Sequence, residues 1–560
     1  MLRDHAVQEV CVLGRDYWEG PGAAHRRVIY KGVGYSDDDI RSKPHIGIAN
    51  TFSEASPAHA HLRLLADAVK QGVWQAGGIP FEFGVPSTCG NIAIGSEDLK
   101  YELAGRDVVA MSIEFVSKVH AFDGLVMLSS CDNIVPGQML AAARLDIPSI
   151  IVTGGPMFPG YHKGKRILTP DINVSVLSDV TPAEFAEMED VACPGYGACG
   201  VMGTANTMQI LSEVLGLSLP GTATIPATVA ARIRAARESG RAAVRLAKGQ
   251  VTPTAILTRG ALLNAAIVDL AIGGSTNAVL HLIALANELG LSLSLEDFDR
   301  LSKDVPCICA VRPSGPYSVV DLHFAGGVPA VMKVLESMLD TSVVGVSGRP
   351  LRDLLAGVEV SPSPVLRTLE DPVTPDSGLT VLRGNLAPDG AIIRTSGVPE
   401  EMKKFTGPAK VFDGDAAALE AIESGGVKPG DVVVVRYEGC KGSPGMKEIM
   451  LSTDALVARG LDRSVGLITD GRFSGFNHGP IVGHISPEAF EGGPIALVRD
   501  GDIITVDVRE GRVDVAVSEE ELKARRSAWK RPAPKVTKGM LALYAATCRP
   551  AHEGGAMQLW

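Results

Sequence analysis

Residues 123–153 have the sequence D-G-L-V-M-L-S-S-C-D-N-I-V-P-G-Q-M-L-A-A-A-R-L-D-I-P-S-I-I-V-T. The apolar run 123–129 predicts a buried strand, and residues 136–145 predict a helix. Residues 149–153 predict a second strand, which Gly154 and Gly155 end. A strand, a helix and a strand in this order form a β-α-β unit, which produces a parallel sheet covered by helices.

The pattern changes beyond residue 360. Helical patterns at 203–216, 226–247 and 260–290 continue the first region, whereas residues 361–378 contain four Pro and no apolar periodicity, which is typical of a linker. Short strands are then predicted at 391–395, 431–437, 464–469, 495–499 and 503–508. Their spacing indicates a β-sandwich or barrel with one or two helices inserted.

A chain of 560 residues is too long for one hydrophobic core, so several units are expected. We predict an N-terminal arm over residues 1–40 and an α/β domain with a parallel sheet over residues 41–360. A linker over 361–378 then leads to a β-rich, barrel-like domain over 379–560.

The composition is that of an acidic globular protein. Hydrophobic residues make up 46% and charged residues 21% of the chain, which excludes a disordered protein. The net charge is −11, and the densest basic stretch, residues 232–245, predicts a solvated helix face rather than a nucleic-acid site. Because no apolar run of about 18 residues occurs, we expect no membrane segment and a cytoplasmic location.

Nine cysteines are too few for a disulfide scaffold, so reduced, buried or metal-binding thiols are expected. Cys89, Cys131 and Cys199 each fall in a predicted loop, and three loop thiols could hold an iron–sulfur cluster with one open iron. Their spacing alone favours the simpler interpretation of three unrelated small residues. Packing roles are predicted for the others: Cys11, Cys193, Cys307, Cys309, Cys440 and Cys548.

Two glycine-rich segments are candidates for binding or catalysis. Residues 195–200 match G-x-G-x-x-G, but no convincing strand precedes them, so a dinucleotide site is a weak alternative. Residues 469–475 (T-D-G-R-F-S-G) follow a predicted strand, and Ser474 between glycines could be an exposed nucleophile or base. An ordinary β-turn is the competing interpretation of this second segment.

Longer motifs carry a family resemblance. They are C-D-N-I-V-P-G at 131–137, C-P-G-Y-G-A-C at 193–199, G-T-A-N-T-M at 203–208, G-G-S-T-N at 273–277, G-N-L-A-P-D-G at 384–390, P-G-M-K-E at 444–448 and D-G-R-F-S-G at 470–475. Together they resemble the dihydroxy-acid and 6-phosphogluconate dehydratases, a family that also includes aldonic-acid dehydratases. The likeness extends from about residue 30 to about residue 555. It implies an iron–sulfur cluster, a neighbouring Mg²⁺, and removal of water from a 2,3-dihydroxy acid to give a 2-keto acid.

The resemblance also implies roles for individual residues. Cys131 and Cys199 fall on cluster-ligand positions, whereas the first thiol of the branched-chain enzymes is missing from residues 56–59 (S-P-A-H). Cys89 matches the position used in the phosphogluconate branch, so the predicted cluster ligands are Cys89, Cys131 and Cys199, in a 2Fe-2S or 4Fe-4S cluster. Ser474 corresponds to the catalytic base.

The implied Mg²⁺ site is only partly present. Asp132 and Glu448 match two ligands, but Gly90 stands where an Asp is expected and Asn133 where a Lys becomes carbamylated. Mg²⁺ prefers oxygen anions, so these changes predict weak or absent binding. Glu97 is one of several polar residues, with His59, His61 and Asn91, that could substitute.

The sequence therefore predicts an iron–sulfur hydro-lyase that acts on a small 2,3-dihydroxy carboxylic acid. A sugar-acid dehydratase of the same family is one alternative, and a non-catalytic, metabolite-binding member with an eroded Mg²⁺ site is another. The resemblance further implies a homodimer or homotetramer.

Overall fold

The strands of the first half of the chain form one parallel sheet in the computed structural model, which describes residues 18–19, 22–178, 180–361, 363–473 and 479–558. The sheet contains β1 (His45–Asn50), β2 (Ile79–Gly84), β3 (Gly124–Ser129) and β4 (Ser149–Thr153), in the order β2-β1-β3-β4. Every residue of β1, β3 and β4 is buried, as expected for parallel strands. The predicted β-α-β unit is therefore confirmed.

Two pairs of helices pack around this sheet. Leu62–Gln75 and Ala230–Gly249 lie against each other and contact β3, whereas Tyr101–His120 pairs with Ile134–Leu145, which contacts β3 and β4. The remaining helices of this half are Ala23–Gly32, Asp37–Ser42, Asp171–Val176, Pro182–Ala192, Thr204–Val214, Pro253–Ile256, Arg259–Ile272, Thr276–Glu288, Leu295–Leu301, Val319–Phe324, Gly327–Val334 and Leu351–Leu355. A hairpin of β5 (Gly160–His162) and β6 (Lys165–Ile167) is separate from the sheet.

The second half folds around a mixed sheet of eight strands. They are β7 (Thr380–Leu382), β8 (Gly390–Ile393), β9 (Lys404–Phe412), β10 (Val432–Val435), β11 (Gly466–Thr469), β12 (Ile481–Ser486), β13 (Ile503–Asp507) and β14 (Arg512–Val515). Their order is β14-β13-β9-β10-β11-β12-β8-β7, and Arg383, next to β7, pairs with Arg512 of β14. This pairing nearly closes the sheet, so the predicted barrel-like fold is confirmed.

Helices connect the parallel strands of this sheet. Asp415–Glu423 joins β9 to β10, and Met450–Ala458 joins β10 to β11, because parallel neighbours need a crossover. Glu519–Ala528 and Gly539–Thr547 follow the last strand. No described helix is both long and apolar enough to cross a membrane.

Two local predictions differ from the structure. The strand predicted at 495–499 is wrong, because Pro494 begins a short 3₁₀ turn, Pro494–Leu497, there. The helical pattern 260–290 is two helices, which Gly273 separates at φ +59°. The described residues between Leu355 and β7 form no helix or strand, and the domain boundary at 361–378 stays a prediction.

Arg232 also departs from the sequence analysis, which predicted a solvated face for its helix. Its side chain is buried and donates hydrogen bonds to Thr153 O (2.8 Å), Thr153 Oγ1 (3.0 Å) and the carbonyl of Ile225. The guanidinium therefore satisfies backbone groups at the end of β4 and in the 223–225 loop. Arg234, Arg237, Arg241 and Arg245 are not buried.

A glycine contact sets the distance between helices Leu62–Gln75 and Ala230–Gly249. A Cβ at Gly72 would lie 1.9 Å from the carbonyl oxygen of Arg237, and one at Gly240 would lie 2.2 Å from that of Val69. Non-bonded atoms do not approach so closely, and a backbone carbonyl, unlike a side chain, cannot rotate away from the contact. The two helices can pack at this distance only because both positions lack a side chain.

Gly72→Ala should therefore destabilise the protein, by about 1–3 kcal/mol, because the helices must move apart. Gly105→Ala is the matched control: Gly105 lies within helix Tyr101–His120, and a Cβ there would meet nothing within 4 Å. The control should be neutral or stabilising by up to about 1 kcal/mol, since Ala favours helix. Thermal unfolding of both variants measures the difference, and equal melting temperatures would contradict the close-contact argument.

Candidate active site

One cavity of about 350 Å³ lies where the carboxyl ends of the four parallel strands meet. Each strand is followed by a loop that contributes to its wall: Ala58 after β1, Cys89 after β2, Cys131 after β3 and Met157 after β4. Open α/β sheets bind ligands at this edge. Glu448, from the second half of the chain, lines the same cavity.

Cys131 is held at the junction of β3 and helix Ile134–Leu145. Its backbone carbonyl accepts hydrogen bonds from Ile134 N and Val135 N, both at 3.2 Å, so the first turn of the helix fixes the backbone of Cys131. Cys89 precedes the 3₁₀ turn Gly90–Ala93. Both loops are therefore anchored by regular backbone hydrogen bonds next to the cavity.

Cys199 reaches the cavity through a loop that pairs with the extension of β4. Ala198 N donates to Gly155 O (2.9 Å), and Met157 N donates to Ala198 O (2.8 Å). A Cβ at Gly197, where φ is +122°, would lie 2.5 Å from Met157 N, so only glycine fits there. The segment 195–200 follows the helix Pro182–Ala192 rather than a strand, which is not the setting of a dinucleotide fingerprint.

The structure thus brings the three predicted cluster ligands to one cavity. The Cys131 thiol is hydrogen-bonded to the Cys89 sulfur. This hydrogen bond and one with the Ser56 hydroxyl lower the pKa of Cys89 to about 7, whereas the interaction with Cys89 raises the pKa of Cys131. Burial raises the pKa of Cys199 to about 12, although Asn91 Nδ2 lies 3.1 Å from its Sγ.

The position predicted to have lost a thiol lies in the same cavity wall as Cys89. Ala58, within the segment where the branched-chain enzymes have their first cysteine, lines the same cavity as Cys89. The two positions lie on loops that follow β1 and β2, which are neighbouring strands. A sulfur can therefore move from one loop to the next and still face the same space.

The packing role predicted for Cys193 is wrong. Its side chain is exposed, lines the cavity, and interacts electrostatically with Cys89 and Cys199. The residue follows helix Pro182–Ala192 directly, as its C-terminal cap. Cys307 and Cys309 are fully buried in the core, as the sequence predicted.

Asp132 and Glu448 face the cavity and interact electrostatically. Glu448 Oε1 accepts hydrogen bonds from Asn277 Nδ2 and an Arg472 guanidinium nitrogen, both at 2.7 Å. Asp132 Oδ1 is buried without a hydrogen-bond partner. Burial, reinforced by the charge of Glu448, raises the pKa of Asp132 well above its ordinary value.

A third carboxylate, which the sequence analysis missed, belongs to this group. Glu102 is 5% exposed, lies in the first turn of helix Tyr101–His120, and interacts electrostatically with Glu448 and Asp132. Asn133 Nδ2 lies 3.4 Å from its Oε2. The only signal in the sequence is an acidic residue in the first turn of a helix, which more often serves the helix dipole.

The residues predicted as substitute metal ligands each contact another group, and His59 Nε2 and His61 Nδ1 are buried without a hydrogen-bond partner. His59 Nδ1 contacts Thr51, and His61 Nε2 lies 2.9 Å from the carbonyl of Gly154. Glu97 forms ion pairs with Lys100 and Lys447. Asn91 contacts the Cys199 sulfur.

Ser474 lies outside the described residues, so its predicted role as base stays a prediction. The segment that leads to it is well anchored: Ile449 N donates to Arg472 O (2.9 Å), and Thr276 Oγ1 donates to Phe473 O (3.1 Å). Arg472 pairs with Glu448 on the cavity wall. The chain therefore reaches Phe473 beside the predicted metal ligands.

The donor chemistry fits the two implied groups. The described cysteines are all free, and the cavity presents sulfur donors for iron, while unpartnered oxygens of Asp132 and Asn133 suit a hard cation. Within the described part of the chain, no three His, Cys, Asp or Glu side chains are already gathered around a metal position. Binding would therefore require side-chain rearrangement.

Known proteins resemble the chain over nearly its whole length. The dihydroxy-acid dehydratase of Acetivibrio thermocellus is 45% identical over 546 residues, which cover 96% of this chain and 98% of the relative. That of Pyrococcus furiosus is 46% identical over 546 residues, with the same coverage. That of Methanococcus aeolicus is 45% identical over 545 residues, covering 96% of this chain and 99% of the relative.

Family models match both halves of the chain separately. The model for the N-terminal part of the dihydroxy-acid/6-phosphogluconate dehydratases matches residues 43–354, and the model for the C-terminal part matches residues 364–555. These spans contain the parallel sheet with its thiol loops and the barrel-like sheet with Glu448, respectively. With both halves matched and almost half of all positions identical to the relatives, the chain belongs to the dihydroxy-acid/6-phosphogluconate dehydratase family.

Proposed function

We propose that this protein is an iron–sulfur-dependent hydro-lyase that converts a 2,3-dihydroxy carboxylic acid to a 2-keto acid. The observation that carries the proposal is the meeting of three thiols, Cys89, Cys131 and Cys199, with two carboxylates, Asp132 and Glu448, on one cavity. The relatives named dihydroxy-acid dehydratases support the same activity.

The three thiols would hold the cluster, and Asp132 and Glu448 would contribute to a Mg²⁺ site. When bound, these groups supply Lewis acids that help the C3 hydroxyl to leave and that neutralise the substrate carboxylate. The chain must then bind the acid, orient it and remove one proton. A confined site serves these tasks because it holds the substrate and the base in a fixed relative position.

Ser474 is the proposed base for the C2 proton. The proton passes from C2 to the Ser474 oxygen, the C3–O bond breaks, and the departing hydroxide leaves as water after taking up a proton. The resulting enol becomes the 2-keto acid by tautomerisation. Arg472, two residues before Ser474, is buried, and one of its guanidinium nitrogens has no hydrogen-bond partner. This positive charge supports the alkoxide form of a nearby serine, since an opposite charge favours ionisation.

The cavity wall favours a substrate with an alkyl branch over a sugar acid. Apolar side chains contribute to the wall: Ala58, Ile92, Met157, Val201 and Met450. A branched hydrocarbon would be stabilised there, whereas the extra hydroxyls of an aldonic acid would lose hydrogen bonds to water. Turnover of branched 2,3-dihydroxy acids should therefore exceed that of C5 and C6 aldonic acids.

We further propose a cytoplasmic location, because an open cluster needs a reducing compartment and the described cysteines are free. The homodimer or homotetramer implied by the family resemblance stays a prediction.

Removal of a cluster thiol should abolish iron binding. We expect anaerobically purified protein to be brown, and Cys89→Ser, Cys131→Ser and Cys199→Ser each to lose the visible absorbance, because iron binds thiolate far better than hydroxyl. Iron and sulfide analysis gives the readout. Cys193→Ser, on the same cavity wall, and Cys307→Ser, in the core, are matched controls that should keep full iron content. Full iron content in Cys89→Ser would refute the displaced-ligand assignment.

Loss of the proposed base should slow the reaction without affecting the cluster. Ser474→Ala should lower 2-keto acid formation by about 10²–10⁴-fold, the usual contribution of general-base catalysis. The visible spectrum should be unchanged. Ser464→Ala is the control, because the Ser464 hydroxyl only donates to Leu461 O in a turn. A Ser474→Ala protein that retains half the activity would show that Ser474 is an ordinary turn residue.

A further inference from the structure

The Glu102 side chain lies in van der Waals contact with the position that a Cβ at residue 90 would take. A Cβ built on Gly90 would lie 3.4 Å from Glu102 Cγ, 3.5 Å from Cδ and 3.6 Å from Oε2. The Glu102 carboxylate is also hydrogen-bonded to the Thr88 side chain and lies 3.4 Å from Asn133 Nδ2. A carboxylate is therefore present beside the loop that lacks one, but a different element of the chain supplies it.

The charges around Glu102 are unbalanced. Glu102, Asp132 and Glu448 are mutually close enough to interact electrostatically, and among the described residues Arg472 is a cation that acts on all three. The side chain of Arg472 is already paired with Glu448 at 2.7 Å. Buried carboxyl groups that cluster around a guanidinium are costly to ionise together unless further positive charge is supplied.

Unsatisfied oxygen atoms lie at the same place. Asn133 is 0% exposed, and its Oδ1 has no hydrogen-bond partner although its Nδ2 faces Glu102. Asp132 Oδ1 is likewise buried and unpartnered, on the cavity wall. Buried polar atoms without partners are rare, and an absent ion is one explanation for them.

We propose that Glu102 is a ligand of a divalent cation that Asp132 and Glu448 also bind, so that it replaces the carboxylate missing at Gly90. Three carboxylates and the Asn133 amide oxygen provide the oxygen donors that Mg²⁺ prefers. The cation draws these side chains together from their present positions. This replaces the expectation of weak or absent Mg²⁺ binding, which was based on Gly90 and Asn133. It rests on the proposed function only for the role of the cation.

Titration with Mn²⁺, followed by the electron paramagnetic resonance of the free ion, tests the proposal on the purified full-length protein. Wild-type protein should bind one Mn²⁺ per chain beyond any bound at the surface, and Mg²⁺ should compete. Glu102→Gln should weaken binding by about ten-fold or more, because one anionic ligand is lost. The matched control is Glu97→Gln, a carboxylate paired with Lys100 and Lys447, which should bind as wild type does.

A second variant guards against a folding defect in Glu102→Gln. Gly90→Asp combined with Glu102→Ala moves the carboxylate to the neighbouring loop and should recover most of the wild-type affinity. Equal Mn²⁺ affinity in wild type and Glu102→Gln would overturn the proposal, and so would the absence of binding in wild type. Since the readout is metal binding, loss of dehydratase activity with intact Mn²⁺ binding would count against the proposed function alone.

Discussion

The parallel direction of β1–β4 is the constraint on which the site depends. Because all four strands run the same way, the loops after them meet at one edge of the sheet, although they are far apart in the sequence. The loops that carry Cys89 and Cys131 are brought together in this way, and the Cys199 loop is added by its pairing with the extension of β4. Any change that disturbed the strand order would scatter the thiols.

The same arrangement is compatible with the predicted change in the first cluster thiol. Ala58 and Cys89 lie on loops of adjacent strands and line one cavity, so the thiol position can shift between them. Glu102 and Gly90 are also neighbours, since the Glu102 side chain lies in van der Waals contact with the position that a Cβ at residue 90 would take. In both cases we propose that a ligand atom of the same type is supplied by a different segment of the chain.

The second half of the chain contributes charged side chains to the site. Arg472, Glu448 and Asn277 form a buried hydrogen-bonded group that links the barrel-like sheet to the helices of the first half. Buried charges of this kind are costly unless they are paired, which ties the two halves to one relative position.

Local patterns in the sequence determined most of the architecture. The strands at 123–129 and 149–153, the helix between them and the barrel-like texture of the second half follow from hydrophobic periodicity, which depends on neighbours along the chain. Long motifs identified Cys131, Cys199, Asp132 and Glu448, and a shorter motif match identified Cys89. Such motifs can be recognised without knowing which residues lie close together in space.

The tertiary structure alone decided which other residues join them. Glu102 is an unremarkable helix residue in the sequence, and only its proximity to Gly90 and Asn133 gives it a role. Arg232 belongs to a basic stretch typical of a solvated face, yet it is buried because backbone carbonyls at the end of β4 lie within its reach. Cys193 lines the cavity because the chain leaves a helix there. These outcomes depend on contacts between distant segments, and no local pattern of residues encodes them.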